Sequence, residues 1–371
     1  MRNMRILITG GAGFVGSSLA LMLKRDLPDV KVCALDNLRR LGSELALCRL
    51  READIEFVHG DVRKPDDIGD AGDFDLLLEC AAEPSVHAGY GKSPAYVIET
   101  NLTGTIHCLE AARRRRADVI FLSTSRVYPI ERLRALPLER RADRLDIPET
   151  ASGAGWSPNG VTTDFPMTGH RSMYGATKLA AELLIEEYRA TYGIRAIVNR
   201  CGVISGPWQM GKVDQGFVVL WAARHLFGGP LDYIGFGGEG LQVRDVLHVA
   251  DLYDLIRLQL NDVSRYDGFV FNVGGGRDRS VSLRELTGMC SVRAGRSVSF
   301  GRRPETPSAD VPYYVTDNSQ ITKASGWAPK RGLDVLLDDV YAWLREHRGA
   351  LEPILSGAAS RTREHSGRTL S

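Results

Sequence analysis

The run Arg5-Ile-Leu-Ile-Thr9-Gly-Gly-Ala-Gly-Phe-Val-Gly16, continued by Ser17-Ser-Leu-Ala-Leu-Met-Leu-Lys-Arg25, decides the fold. Its apolar start reads as a strand and the segment after Gly16 as a helix, with a glycine-rich turn between them. Gly10, Gly13 and Gly16 permit a tight turn, close approach of the backbone to a pyrophosphate, and close packing of helix on strand. The helix N-terminus then offers free N–H donors and a partial positive charge to phosphates. Asp36 follows at the end of the next candidate strand. A carboxylate there accepts from both ribose hydroxyls of an adenosine and repels a 2′-phosphate, so the pattern predicts NAD rather than NADP. Arg39 and Arg40 are the nearest residues able to soften that choice.

Outward from this unit, candidate strands fall at Arg5–Thr9, Lys31–Leu35, Ile55–Val58, Leu76–Cys80, Val119–Ser123 and Ala196–Arg200. Amphipathic segments separate them, the clearest at Pro94–Arg115 and Ser172–Thr191. Such alternation predicts an α/β fold: a Rossmann-type, doubly wound parallel sheet with helices on both faces. We place the NAD-binding domain at residues 1–207, with one strand returning near 268–273. Residues 208–349, with shorter elements and denser glycines, form a smaller mixed C-terminal substrate lobe. It should face the carboxyl ends of the strands, where open α/β sheets bind ligands. Residues 350–371 are small, polar and without period, and read as a disordered tail.

Composition narrows the function. A balance of 47 basic against 46 acidic residues leaves no global field to steer a polyanion, so no nucleic acid is expected as partner. The Arg113–Arg116 run fits a solvated helix end, where cations oppose the macrodipole. No apolar stretch reaches the ~20 residues needed to span a bilayer, and the first strand begins too early for a secretory leader. A cytoplasmic protein is the expectation. The cysteines show no CxxC pair and no zinc-like spacing, which predicts buried free thiols and no metal site.

Catalysis is read from Tyr174-Gly-Ala-Thr-Lys178, which opens the second long helix and places phenol and ammonium one turn apart on one face. A phenol near pKa ~10 is a poor base at neutral pH. A neighbouring cation favours the phenolate and suits it to acid–base work. Ser123-Thr124-Ser125-Arg126-Val127-Tyr128 ends the fifth strand and brings the Thr124 hydroxyl to the same edge of the sheet.

With these motifs in this order, the chain resembles the extended short-chain dehydrogenase/reductases as far as about Trp343. The resemblance implies that the turn carrying Gly10, Gly13, Phe14, Val15 and Gly16 holds the NAD pyrophosphate. Asp36 and Asn37 would meet the adenosine ribose, and Asp61 and Val62 the adenine. Ala81 and Ala82 in CAAEPSV would pass over the cofactor, with Asn101 in the family's xxNxxGT pattern. Thr124, Tyr174 and Lys178 correspond to its catalytic triad, and Lys178 also holds the nicotinamide ribose. Arg244 in QVRDVLHVAD would grip a substrate diphosphate. Within the family the chain is most similar to the CDP-tyvelose (CDP-paratose) 2-epimerases, through STSRVY, Asp214-Gln215-Gly216-Phe217 and Gln242–His248. Gln215 would thus contact substrate. Ser125 and Arg126 stand where 4,6-dehydratases have acidic residues, which argues against dehydration. Val203, Ser205 and Pro129 depart from what many relatives carry. The implied function is NAD-dependent epimerisation of a nucleotide-diphospho-sugar through a keto-sugar, with C2 of a CDP-deoxyhexose as the reacting centre. The implied assembly is a homodimer through the two long helices. C4-epimerisation and another NDP-sugar oxidation are the alternatives. A non-catalytic NAD-binding regulator is a further one, opposed by retention of all three triad residues.

Overall fold

The computed structural model describes residues 4–213 and 215–356. Seven parallel strands form the central sheet: β1 (Arg5–Thr9), β2 (Lys31–Asp36), β3 (Glu56–His59), β4 (Leu76–Glu79), β5 (Asp118–Thr124), β6 (Ala196–Cys201) and β7 (Val270–Val273). Their order is β7-β6-β5-β4-β1-β2-β3. The continuous apolar runs are explained by burial of both faces. Ile6, Ile8, Leu76, Leu78, Ile120 and Leu122 pack into one core. The alternate residues Leu7, Leu77, Val119 and Phe121 pack into the other.

The helices flank this sheet as expected, with two departures. The Pro94–Arg115 segment is three pieces: helix Ala95–Ile98, a π-turn over Glu99–Thr103, and helix Gly104–Arg115. The second long helix runs Met173–Tyr192, and the Ser172 hydroxyl accepts from the Gly175 N–H at 3.2 Å to cap it.

The chain leaves the sheet after β6, builds most of the lobe, and comes back. More returns than one strand. Helix Val249–Asn261 packs against helix Phe14–Asp26, its Tyr253 hydroxyl donating to Asp26 at 2.8 Å, and its Leu252, Leu255 and Ile256 belong to the sheet's own core. The lobe has a separate core around helix Phe217–Phe227 and a four-stranded sheet in which Val243–His248 pairs with Val203–Ser205, Ser280–Ser282 and Tyr313–Tyr314.

The expectation of a tail disordered from residue 350 is corrected for its first part. Arg348–Leu355 is helical, because Leu351 and Leu355 bury one face against the lobe's core. The remainder of that expectation, residues 357–371, lies outside the described residues. The thiols are free, and Cys33, Cys108, Cys201 and Cys290 are buried, but Cys48 is exposed beside Glu52.

Candidate active site

A cavity of about 580 Å³ opens at the carboxyl ends of the central strands, between the sheet and the lobe. One wall is the turn after β1. A Cβ at Gly16 would lie 2.2 Å from the Gly10 carbonyl oxygen, so only glycine lets the helix begin this close to the strand. Asp36 stands beside it and accepts from the Ala12 N–H at 3.1 Å and the Leu38 N–H at 2.8 Å. Burial raises its pKa and these N–H donors oppose the rise. The tight cradle and the carboxylate fit a dinucleotide without a 2′-phosphate. Arg40 is engaged elsewhere, by the Gln215 side chain and by the Met210 carbonyl at 2.8 Å. Arg39 lies over the Tyr96 ring.

The opposite end of the cavity gathers the reactive groups. Helix Met173–Tyr192 begins against the turn that follows Thr124, and Gly175 makes the approach possible: a Cβ there would sit 2.0 Å from the Arg126 carbonyl oxygen. This contact sets the Tyr174 phenol close enough to the Thr124 hydroxyl for the hydroxyl to act on its proton affinity. Burial pushes the phenol up to about 12, and the Thr124 hydroxyl works against that rise. Lys178 is 1% exposed, with Nζ 4.2 Å from the Phe121 ring centroid. Among the leading influences on the phenol, burial outweighs every cation.

Of the residues singled out from sequence, Gly10, Gly13, Phe14, Val15, Gly16, Asp36, Asn37, Val62, Ala81, Ala82, Thr124, Tyr174, Lys178, Gln215 and Arg244 line this cavity. Two, Asp61 and Asn101, are not among its lining residues. Asp61 is turned to Arg63 at 2.6 Å and to the Asn37 amide at 3.0 Å, and Arg63 holds its carboxyl well below the usual range. Asn101 is fully buried on the π-turn; its Oδ1 accepts from the Glu83 N–H at 2.7 Å and its Nδ2 donates to the Glu83 carbonyl at 3.1 Å. It fixes the loop carrying Ala81 and Ala82, and so acts behind the cavity wall.

Arg244 lines the cavity as one half of an ion pair. Its Nη2 donates to Asp310 at 2.9 Å and to the Val311 carbonyl at 2.6 Å, while burial lowers its pKa to about 10. Sequence reading missed Asp310, which arrives from a distant loop, and missed Glu83 and Lys212 as further charged wall residues. Glu83 was within the CAAEPSV motif, whereas nothing local marks Asp310.

The chain matches the model of the NAD dependent epimerase/dehydratase family over residues 6–274. It is 31% identical over 353 residues to CDP-paratose 2-epimerase of Salmonella typhi, covering 92% of this chain and 99% of that protein. It is 28% identical to dTDP-glucose 4,6-dehydratase of Streptomyces niveus, covering 95% and 96%. Among solved structures, a double mutant of the dTDP-glucose 4,6-dehydratase of Streptomyces venezuelae with NAD bound superposes with a TM-score of 0.76 at 28% identity, covering 95% of this chain and 100% of that one. Matched over most of its length by this model, and with a glycine cradle, the Asp36 carboxylate and a Thr–Tyr–Lys set lining one cavity, this chain belongs to the NAD-dependent epimerase/dehydratase family, and NAD is its cofactor.

Proposed function

We propose that this protein inverts C2 of a CDP-linked deoxyhexose of the paratose/tyvelose type through a transient keto-sugar. The observation that carries the reading is the pair following Thr124. Ser125 and Arg126 line the cavity beside the triad. Dehydration requires groups that take a proton from carbon and hand one to a departing hydroxyl. A serine hydroxyl and a guanidinium are poor at both, whereas epimerisation needs only the phenol and the redox cofactor. The 31% identity to a CDP-paratose 2-epimerase supports the choice of carbon and nucleotide.

NAD, when bound, supplies an acceptor and then a donor of hydride for one sugar carbon. Tyr174, as phenolate, takes the proton of the hydroxyl on that carbon and later returns it. Thr124 hydrogen-bonds the same oxygen and restrains its position. Lys178 contributes positive charge that favours the phenolate. Arg126 and Lys212 bring charge to the wall that faces a diphosphate, while Arg244 is already half neutralised by Asp310. The keto-sugar must turn its other face before it is reduced.

The test is reaction of CDP-paratose and CDP-tyvelose in D2O, read by NMR. Interconversion with no deuterium at C2 is the expected result, because the hydrogen returns from the cofactor. Solvent deuterium at C2 would indicate an enolate route and overturn the mechanism. Inversion at C4 with C2 untouched would move the enzyme to C4-epimerisation.

We further propose a homodimer, supported by Leu183 and Tyr192, 64% and 52% exposed on helix Met173–Tyr192. Among the described residues no helix is long and apolar enough to cross a membrane, and a cytoplasmic location is part of the same proposal.

A further inference from the structure

Strand β4 reads Leu76-Leu77-Leu78-Glu79: three buried leucines, then a carboxylate that is 1% exposed. Burying a carboxylate is costly unless a partner compensates it. Glu79 belongs neither to the cofactor turn nor to the triad. Its place in the strand puts it on the face of Leu77, and it stands opposite Phe121 in the β4–β5 register. Paired residues on adjacent strands lie about 5 Å apart and share a face. The Lys178 ammonium rests over that same Phe121 ring. Glu79, Phe121 and Lys178 are therefore gathered on one side of the sheet, beneath the helix that carries Tyr174. The Thr105 hydroxyl donates to Glu79 Oε1 at 2.5 Å, and Oε2 has no hydrogen-bond partner among the described residues.

We propose that Glu79 is a positioning residue for the reaction: its buried carboxylate is the counter-charge that keeps the Lys178 ammonium protonated and in place beside Tyr174. The inference rests on the reading of Tyr174 and Lys178 as the proton-transferring pair. Burial pushes the Lys178 ammonium down, and Glu79 is the first of the charges that hold it up. Reciprocally, burial pushes Glu79 up, and Lys178 is the first group that opposes this.

The other groups facing the pair do not substitute for it. Cys80 just after β4, Cys108 on helix Gly104–Arg115 and Cys201 on β6 are thiols that burial pushes up, so they are neutral at working pH. Glu182, one turn beyond Lys178, is gripped by Arg200 at 2.7 Å and also bonded by Ser123. Glu79 is left as the negative charge available to Lys178. The two act through the field across the Phe121 ring, since no direct ion pair joins them among the described residues.

The test uses NAD-loaded enzyme and the pH dependence of kcat. Glu79→Gln should bring the alkaline limb to lower pH by about one unit or more, the size expected when a nearby opposite charge is lost. Glu79→Asp should restore most of the shift. Thr105→Val, which weakens the carboxylate's hydrogen bonding while sparing the charge, should move the limb the same way by less. It serves as the second variant if Glu79→Gln melts early. An unmoved limb in Glu79→Gln, or an equal loss of kcat at every pH, would overturn the proposal and leave only a packing role. Full turnover by Tyr174→Phe would instead remove the underlying reading, so the two failures are distinct.

Discussion

The contact between Gly175 and Arg126 sets the distance from Tyr174 to Thr124, and Gly175→Ala tests how tightly. The new Cβ would lie 2.0 Å from the Arg126 carbonyl oxygen and 2.8 Å from its carbon. A tolerable carbon–oxygen approach is about 3.3 Å, so the start of the helix must retreat by about 1.3 Å. The obstacle is backbone and cannot rotate away. Misplacing a reacting group by ~1 Å can cost about 100-fold, which is ~2.7 kcal/mol in the barrier. Overpacking should cost about 1–3 kcal/mol of stability, partly offset by ~1 kcal/mol from replacing a helical glycine. The variant should therefore stay folded and bind NAD while kcat falls about 100-fold. Calorimetry for folding, fluorescence titration for NAD and turnover of the sugar nucleotide would measure the three separately. Wild-type turnover by Gly175→Ala would refute the claim that this contact positions the phenol.

Other outcomes follow from the same geometry. Tyr174→Phe should abolish turnover, with no reduced-cofactor absorbance in a single turnover, while fluorescence titration shows NAD still binding. Burial raises that phenol to about 12, so the folded state holds its proton more tightly than the unfolded chain does. Its contribution to stability is complete below pH ~10 and is lost as pH rises through about 12. Denaturant melts should show wild type losing more stability than Tyr174→Phe across that window. Asp36→Gly should narrow the preference for NAD over NADP in paired binding titrations; equal affinity of the wild type for both would sink the ribose assignment. Light scattering should give a dimer at micromolar concentration, and a monomer would refute the two-helix interface.

The parts legible in the sequence were those whose chemistry is local. The glycine turn with Asp36, and Tyr174 one turn before Lys178, each lie within a single βα unit or a single helix, so spacing alone places them together. The partners of Asp61 and Asn101 were not legible, because position in a motif does not say which way a side chain turns. Arg63, two residues on, captures Asp61, and the π-turn over Glu99–Thr103 directs Asn101 inward. Asp310 meets Arg244 only through tertiary folding, which no periodicity reports. Helix Arg348–Leu355 was missed because one apolar pair, Leu351 and Leu355, is too short a signal to show a period; the lobe's core supplies the reason to fold. Glu79 was passed over as the end of an apolar strand, although a carboxylate closing three leucines was itself the clue.

The return of the chain to the sheet has a consequence for synthesis. All six residues of β6 are buried, and β7, which covers its open side, begins only at Val270. Chains emerge from the ribosome at about 5–20 residues per second, so β6, paired with β5 on one side, waits on the order of seconds with the backbone donors and acceptors of its other edge unpaired. An unpaired, apolar strand edge is a template for association with other chains. The helix Phe14–Asp26, made earlier still, waits longer for the cover provided by Val249–Asn261. A message truncated within the lobe would therefore yield an aggregating fragment rather than a small nucleotide-binding protein, and the cofactor half acquires its final form only when most of the substrate half has been made.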